Sequence, residues 1–197
     1  MVMAEATNHY FKHLGVSDGL SQVCIPSIYQ DELGAVWLGT TEGLNRYNGK
    51  DVRVFQPSES NHGLTNNEIN ELCGDKNGRM YIRSGNDLIK LDIYTEQFTC
   101  LRQKGVYGLF CKKDTLWVSC ADGIYYYTGQ GTELTFFARV QKGFVGRALY
   151  VDKETVWVVT RKYLVAISRE DPLRQEILLT LDKGNCILGD SSGYIWV

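Results

Sequence analysis

Cysteine and histidine are the residues of this chain that could bind a metal, form disulfides or act as nucleophiles. The six cysteines are Cys24, Cys73, Cys100, Cys111, Cys120 and Cys186, and the three histidines are His9, His13 and His62. No Cys-x-x-Cys pair occurs and the histidines lie far in sequence from most of the cysteines, so we expect no metal site. The cysteines are too sparse for a small disulfide scaffold, and most lie in apolar runs, which favours buried free thiols.

Common catalytic motifs are missing or lie in the wrong context. The sequence contains no His-Glu-x-x-His and no Gly-x-x-x-x-Gly-Lys. Gly189-Asp-Ser-Ser-Gly193 matches Gly-x-Ser-x-Gly in its letters, but the repeat places it in a hairpin turn and not in the strand-to-helix turn that a serine nucleophile needs. The Gly129-Gln-Gly131 segment is typical of a turn and not of a nucleotide-binding loop. We therefore expect that the chain is not an enzyme, with no catalytic residue and no cofactor, although a loop carboxylate or tyrosine could in principle act on a sugar.

Composition and charge exclude several other classes of protein. The 197 residues are 44% hydrophobic and 22% charged, as in an ordinary globular protein, and the net charge is −2. The absence of a basic excess argues against a nucleic-acid partner. No apolar run reaches the roughly 20 residues of a membrane span, so we expect no membrane contact by this segment. Residues 1–9 show no signal-peptide pattern and are interpreted as a disordered leader or a cloning remnant.

An aromatic residue inside a short apolar run recurs along the whole chain. The positions are Trp37, Tyr81, Trp117, Trp157 and Trp196, separated by 44, 36, 40 and 39 residues. A repeat of about 40 residues is the length of a propeller blade. Tryptophan can stack on sugar rings, but the same position in every unit favours a structural core between neighbouring units.

Each repeat also has the pattern of four short strands joined by turns rich in Gly, Asp and Asn. The sequence therefore predicts an all-β fold, a β-propeller fragment with about four complete four-stranded blades and part of a fifth. The predicted blades are approximately 21–57, 64–101, 104–140, 143–181 and the partial 184–197. A β-sandwich is the competing fold, and Asp171-Pro-Leu-Arg-Gln-Glu-Ile-Leu178 is the best helix candidate, although its place in the repeat favours a strand.

The first repeat and the segment before it resemble a known family of repeats. The matching elements are Asp18-Gly-Leu-Ser21, Ile28-Tyr-Gln-Asp31, Trp37-Leu-Gly-Thr40 and Gly43-Leu-Asn-Arg-Tyr47. They resemble the two-component regulator propeller repeats in the periplasmic sensor region of Bacteroides-type hybrid two-component systems, which join a histidine kinase to a response regulator. The resemblance runs from about residue 10 to residue 197 and weakens after the first repeat.

The resemblance implies a function and a location. Proteins of this family are periplasmic sensors with seven-bladed propellers that detect oligosaccharides and regulate polysaccharide-utilisation genes. It implies that this chain is a periplasmic, N-terminal, ligand-sensing portion of such a sensor, with an oligosaccharide as the ligand of the intact protein. The alternative is a propeller scaffold that binds other proteins and no small ligand.

The chain differs from the family in length. Seven blades of about 40 residues need about 280 residues, whereas this chain has 197, and kinase, receiver and DNA-binding segments are not part of it. The incomplete ring predicts exposed blade faces and hence a homo-oligomer, most simply a dimer. Residues Tyr10–Leu14 could add an outer strand to the fifth unit.

The loops at one end of the predicted propeller are the candidate ligand site. Loops between blades and loops between second and third strands share this end, since each strand reverses direction. Planar polar groups and aromatic faces in these loops suit a sugar. The candidate ligand-binding residues are Asn66, Asn67, Arg83, Asn86, Tyr107, Arg147 and Arg161.

Overall fold

The structure is a computed structural model that describes residues 12–57, 63–140 and 145–197. Eighteen strands occur in these residues, and the only helical element described there is a single 3-10 turn at Val16–Asp18. The strands are β1 (Ser27–Gln30), β2 (Val36–Thr40), β3 (Gly43–Tyr47), β4 (Val52–Phe55), β5 (Ile69–Gly74), β6 (Arg79–Ser84), β7 (Asp87–Asp92), β8 (Gln97–Arg102), β9 (Val106–Lys112), β10 (Thr115–Cys120), β11 (Gly123–Tyr127), β12 (Thr135–Ala138), β13 (Gly146–Val151), β14 (Thr155–Thr160), β15 (Tyr163–Ser168), β16 (Gln175–Thr180), β17 (Leu188–Gly189) and β18 (Ile195–Trp196).

The strands form four four-stranded antiparallel sheets and one two-stranded sheet, each built from strands consecutive in sequence. We call them blades 1 to 5 in chain order. The first strand of each four-stranded blade contacts the first strand of the next, so β1, β5, β9 and β13 lie side by side along the centre of the molecule. This arrangement confirms the predicted all-β propeller fragment of four complete blades and part of a fifth.

The hydrophobic core lies between successive blades. One cluster joins Trp37 and Phe55 of blade 1 to Ile69 and Met80 of blade 2. Two further clusters join blade 2 to blade 3 and blade 3 to blade 4. A blade therefore buries its apolar faces only against its neighbours, as expected for a repeat architecture.

An aspartate follows the central strand in four of the five blades and organises the turn to the second strand. In blade 1 the Asp31 carboxylate accepts hydrogen bonds from the amides of Leu33 and Ala35 and, at 2.7 Å, from the indole N–H of Trp37. The same indole contact recurs as Trp157 to Asp152 at 2.7 Å and as Trp196 to Asp190 at 3.0 Å. We call these three contacts the aspartate–indole hydrogen bonds.

Two blades depart from this arrangement. Blade 2 has Tyr81 in place of tryptophan, and there the Arg79 guanidinium pairs with the Asp75 carboxylate instead. Blade 3 has Lys112 at the aspartate position, two residues after the partner of Trp117 in the ladder, so the indole of Trp117 has no equivalent carboxylate. The aromatic side chain is nevertheless buried in both blades, at 0% exposure for Tyr81 and 5% for Trp117.

The aspartate–indole hydrogen bonds also affect acid titration. Burial alone would raise the pKa of Asp152, but the hydrogen bonds from Trp157 and from two backbone amides lower it overall. In blade 5 the indole of Trp196 is the main cause of the lowered pKa of Asp190. Both carboxylates are therefore held ionised, which strengthens the hydrogen bonds that they accept.

The burial of the repeated aromatic residue falls along the chain. Trp37 is fully buried, Trp157 is half-buried and Trp196 is 61% exposed. The expectation that Trp196 belongs to a core between blades therefore differs from the structure. The reason is that each of these side chains is covered by the following blade, and no further sheet is described beyond β18.

The segment before blade 1 packs on that blade. The amide of Ser21 donates to Asn45 at 2.9 Å, the hydroxyls of Ser21 and Thr40 are 2.9 Å apart, and the Lys12 ammonium donates to the Tyr47 hydroxyl. Residues 12–14 are not in a strand, so the prediction that they extend blade 5 is wrong for the described part. Residues 10–11 and the predicted leader 1–9 lie outside the described residues.

The cysteines are unpaired, but not all are buried as predicted. Cys120 is buried, Cys73, Cys100 and Cys111 are half-buried, and Cys24 and Cys186 are exposed. The two exposed cysteines lie in irregular segments just before the central strands of blades 1 and 5. No helix in the described part of the chain is long and apolar enough to cross a membrane.

The aspartate–indole hydrogen bonds give a test of the fold. Asp31→Ala removes the acceptor of three hydrogen bonds at a site that is 4% exposed. We expect the free energy of unfolding to fall by about 2–4 kcal/mol, measured by urea denaturation.

The matched control is Asp190→Ala in blade 5, where the partner indole of Trp196 is 61% exposed. The fall in the free energy of unfolding should be clearly smaller for Asp190→Ala, because water replaces the lost hydrogen bonds at this exposed site. Equal losses for the two variants would show that burial between blades does not strengthen the contact.

Candidate functional site

A cavity of about 720 Å³ opens at the end of the molecule where the central strands of blades 3 and 4 begin. Its walls come from blades 2, 3 and 4 and from the loop that leads to blade 5. The lining residues are Arg83, Tyr107, Val145, Arg147, Thr160, Arg161, Lys162 and Asn185. We call this the cationic cavity, because four of its eight lining residues are Arg or Lys and none is acidic.

Two β-bulges supply lining residues from the central strands. In blade 3, Ser119 pairs with Gly108 and Cys120 pairs with Val106, so Tyr107 is the extra residue. In blade 4, Gly146 pairs with Thr160 and Ala148 pairs with Val159, so Arg147 is the extra residue. Bulges bend a strand and redirect side chains, and they are common next to functional sites.

A tight turn between β14 and β15 presents Arg161 and Lys162. The Thr160 hydroxyl accepts hydrogen bonds from the amides of Lys162 and Tyr163 and donates to the Tyr163 carbonyl. The Arg161 and Lys162 carbonyls accept hydrogen bonds from the amides of Gly184 and Leu181 in the following loop. The backbone of both cationic residues is therefore fixed from two sides, while their side chains remain exposed.

Blades 3 and 4 approach closely beside the cavity. The Ser119 hydroxyl donates to the Gly146 carbonyl at 2.8 Å in the buried interior. A Cβ atom on Gly108 would lie 2.7 Å from the Arg147 carbonyl oxygen, so only glycine permits this spacing. The close contact fixes the position of the two bulged strands relative to each other.

Arg83 reaches the cavity from blade 2 and is already paired. Its Nε atom lies 3.3 Å from the Glu71 carboxylate, and its Nη1 atom donates to the Gly85 carbonyl. Burial raises the pKa of Glu71, although the Leu109 amide and Arg83 act in the opposite direction. Glu71 thus offsets the charge of Arg83 and links blade 2 to blade 3.

Four of the predicted ligand-binding residues line the cationic cavity, namely Arg83, Tyr107, Arg147 and Arg161. The other three lie outside it and belong to turns. Asn66 caps a turn by accepting from the Glu68 amide, and the Asn86 carbonyl accepts from the Val106 amide. Asn67 is exposed beside Asn66.

Sequence reasoning missed Val145, Thr160, Lys162 and Asn185. Thr160, Lys162 and Asn185 fall in loop ranges that the repeat places at the same end, so the position of Lys162 was available from the sequence. The bulges were not predictable, because they lie at the second residue of β9 and of β13, where too few residues precede the break for a change in the alternation to be recognised.

The described residues contain no cluster of three or more His, Cys, Asp or Glu side chains placed to bind a metal. A second cavity of about 550 Å³ lies at the outer part of blade 4 and is lined by Lys153, Glu154, Thr155, Ala166, Ser168, Arg169, Glu170, Arg174, Gln175 and Glu176. Its charges are mixed and its walls come from one blade. The cationic cavity is the site that several blades build together.

Comparison with known proteins agrees with the geometry. Residues 19–42 match the family described as two component regulator propeller. The match covers part of the first repeat, from Gly19 to Glu42. Histidine kinase P4 of Formosa agariphila is 38% identical over 53 residues, which are 27% of this chain and 4% of that protein.

Solved structures extend the comparison to nearly the whole chain. The extracellular domain of the hybrid two component system BT3049 from B. thetaiotaomicron has a TM-score of 0.79 at 23% identity, over 94% of this chain and 28% of that one. The extracellular domain of BT4673 from the same organism has a TM-score of 0.69 at 21% identity, over 86% and 24% of the two chains.

These likenesses confirm the resemblance seen in the sequence and establish the propeller fold. Both of these solved structures are extracellular domains of two component systems. It spans less than a third of the length of each of these relatives.

Proposed function

We propose that this chain is a ligand-sensing propeller portion of a hybrid two-component sensor, that its ligand is an oligosaccharide, and that binding regulates genes for polysaccharide use. The cationic cavity is the observation that carries the proposal. Its volume of about 720 Å³ lies within the usual range of about 300–1,000 Å³ for small-ligand sites.

The chemistry of the lining suits a sugar. The guanidinium groups of Arg147 and Arg161 offer several N–H donors in one plane, and the Asn185 amide offers both a donor and an acceptor. Tyr107, which is 36% exposed, provides an aromatic face with a polar hydroxyl. Sugars present hydroxyl groups on their edges and C–H groups on their faces. The guanidinium and amide groups can bind the hydroxyls, and the aromatic ring can pack against the C–H groups.

Ligand binding in the cationic cavity would affect how blades 2, 3 and 4 are positioned relative to one another. Arg83 comes from blade 2, Tyr107 from blade 3, and Arg147 and Arg161 from blade 4. A ligand that contacts all of them would hold three blades together and favour one arrangement of the propeller. A sensor passes on a signal only if its ligand binds one of two arrangements of the protein more tightly than the other.

The proposal includes a periplasmic location, outside the cytoplasmic membrane. The relatives of similar structure are extracellular domains of two-component systems, and the same location suits a receptor for external sugars. The exposed Cys24 and Cys186 would there meet an oxidising environment.

Isothermal titration with a panel of plant, host and microbial oligosaccharides tests the function. We expect saturable binding of at least one saccharide without its consumption. Tyr107→Ala should weaken it about five- to tenfold through loss of the aromatic face. Tyr94→Ala, which changes a 62% exposed tyrosine outside the cavity, should leave it unchanged.

A chain that binds no saccharide but binds a protein partner tightly would contradict this function and favour the scaffold. Hydrolysis or elimination of the saccharide during the titration would contradict it in favour of an enzyme.

We also propose that the chain self-associates, most simply as a dimer, through the exposed apolar surface of blade 5. Leu188, Tyr194, Trp196 and Val197 are 64%, 67%, 61% and 46% exposed. Apolar surface grouped in this way commonly marks an interface.

Light scattering at micromolar concentration should therefore give the mass of an oligomer. Leu188→Lys should shift it towards the monomer, because a charge would be buried in the contact. A monomeric wild-type chain would contradict the association.

A further inference from the structure

We propose that the ligand of the cationic cavity is an anionic oligosaccharide, one whose sugars carry carboxylate or sulfate groups. The inference rests on the proposed function and narrows it to a substrate class. It comes from the distribution of charge in and around the cavity.

The cavity concentrates positive charge, although the protein as a whole has slightly more acidic than basic residues. Arg83, Arg147, Arg161 and Lys162 all line it, and none of the lining residues that the structure describes is acidic. The whole chain has a net charge of −2. A concave surface of one sign attracts ligands of the opposite sign and raises their local concentration.

Three of these cations also lack a protein partner. Within the described residues, the side chains of Arg147, Arg161 and Lys162 form no ion pair and donate no hydrogen bond. By contrast, Arg46 and Arg53 of blade 1 both form ion pairs with Glu96 of blade 2. These three cations all lie on the wall of the cavity that blade 4 contributes, namely Arg147, Arg161 and Lys162.

Further arginines of the other blades show the same contrast. Arg79 pairs with Asp75, and Arg102 pairs with Asp122 at 2.8 Å. Even in the cavity, Arg83 is paired with Glu71 at 3.3 Å. Cations without an ion pair also occur outside the cavity, for example Arg139 and Arg174, so the cavity is distinguished by three of them lining one concave surface whose described lining residues include no carboxylate.

The local backbone holds the unpaired cations near one another. The bulge presents Arg147 beside the turn that presents Arg161 and Lys162, because Gly146 pairs directly with Thr160. Like charges held close together repel, and an anion between them would relieve this repulsion. A guanidinium binds a carboxylate or a sulfate through two parallel hydrogen bonds, which a neutral hydroxyl cannot match.

The chemistry divides the cavity into two parts. The wall from blade 4 offers uncompensated positive charge, whereas Glu71 offsets the charge of Arg83 on the blade 2 side. Tyr107 lies on β9, the central strand between them. This order suits a sugar chain with an acidic group near Arg147, Arg161 and Lys162 and a ring near Tyr107.

Matched pairs of saccharides test the inference by isothermal titration. The first pair is tetragalacturonate and its fully methyl-esterified form, which has the same sugars without charge. The second pair is a sulfated galactan tetrasaccharide and its desulfated form. We expect the charged member of at least one pair to bind at least tenfold more tightly than its neutral form.

The two pairs separate the sources of negative charge. If only the first pair shows a preference for the charged form, the ligand is a uronate. If only the second pair shows it, the ligand is a sulfate ester. The preferred interaction should weaken when sodium chloride rises from 50 to 500 mM, since salt screens exposed charges.

Variants then locate the effect. Lys162→Met and Arg161→Gln should each weaken binding of the charged saccharide at least fivefold and change binding of the neutral form little. Lys50→Met removes the same charge from the exposed turn between β3 and β4 and should change neither. Arg147→Lys keeps the charge but loses the paired hydrogen bonds, so it should weaken binding while the melting temperature stays the same.

The outcomes distinguish this inference from the proposed function. If neutral saccharides bind as tightly as their charged forms, or if the Lys162 variant has no effect, the anionic class is wrong and oligosaccharide sensing stands. If inorganic sulfate alone binds as tightly as the charged saccharides, the cavity is a simple anion site and the inference fails. If no saccharide of any kind binds, the proposed function itself fails.

Discussion

The structure depends on a carboxylate that follows the central strand of a blade and closes the hairpin to the next strand. In blade 1 this carboxylate, from Asp31, holds two backbone amides and the indole of Trp37. The contact fixes the turn and also aims the indole into the space between two blades. In blades 1, 4 and 5 one aspartate therefore determines both the turn and the direction of the indole, whereas blade 2 pairs its aspartate with Arg79 and blade 3 has no equivalent carboxylate.

The repeat could be predicted from the sequence because these residues are visible in it. Tryptophan or tyrosine in apolar runs, with Asp and Gly in the preceding turn, gave the blades and most strands. The limits of the prediction are also physical. The start of the first strand is one such limit: pairing begins only at Ser27, because Pro26 before it has no amide hydrogen to donate. The exposure of Trp196 depends on whether a neighbouring sheet covers it, which the local pattern does not encode.

The candidate site was only partly predictable. Arg83, Tyr107, Arg147 and Arg161 meet because alternating strand direction brings two sets of loops to one end of the propeller. Asn66 and Asn86 lie at the same end but serve in turns, and a turn asparagine looks the same in sequence as a ligand-binding one. The bulges that present Tyr107 and Arg147 arise from pairing between strands and became visible only in the fold. The excess of positive charge in the cavity lies on the wall that blade 4 builds.

Hydrogen exchange of the indole N–H groups, followed by NMR, tests the central interaction most directly. The account predicts slow exchange for Trp37, whose indole is buried and bonded to Asp31, faster exchange for the half-buried Trp157, and the fastest exchange for Trp196, which is 61% exposed. Exchange of the Trp37 indole as fast as that of Trp196 would contradict the account, because the carboxylate in the hairpin would then not be holding the indole between the blades.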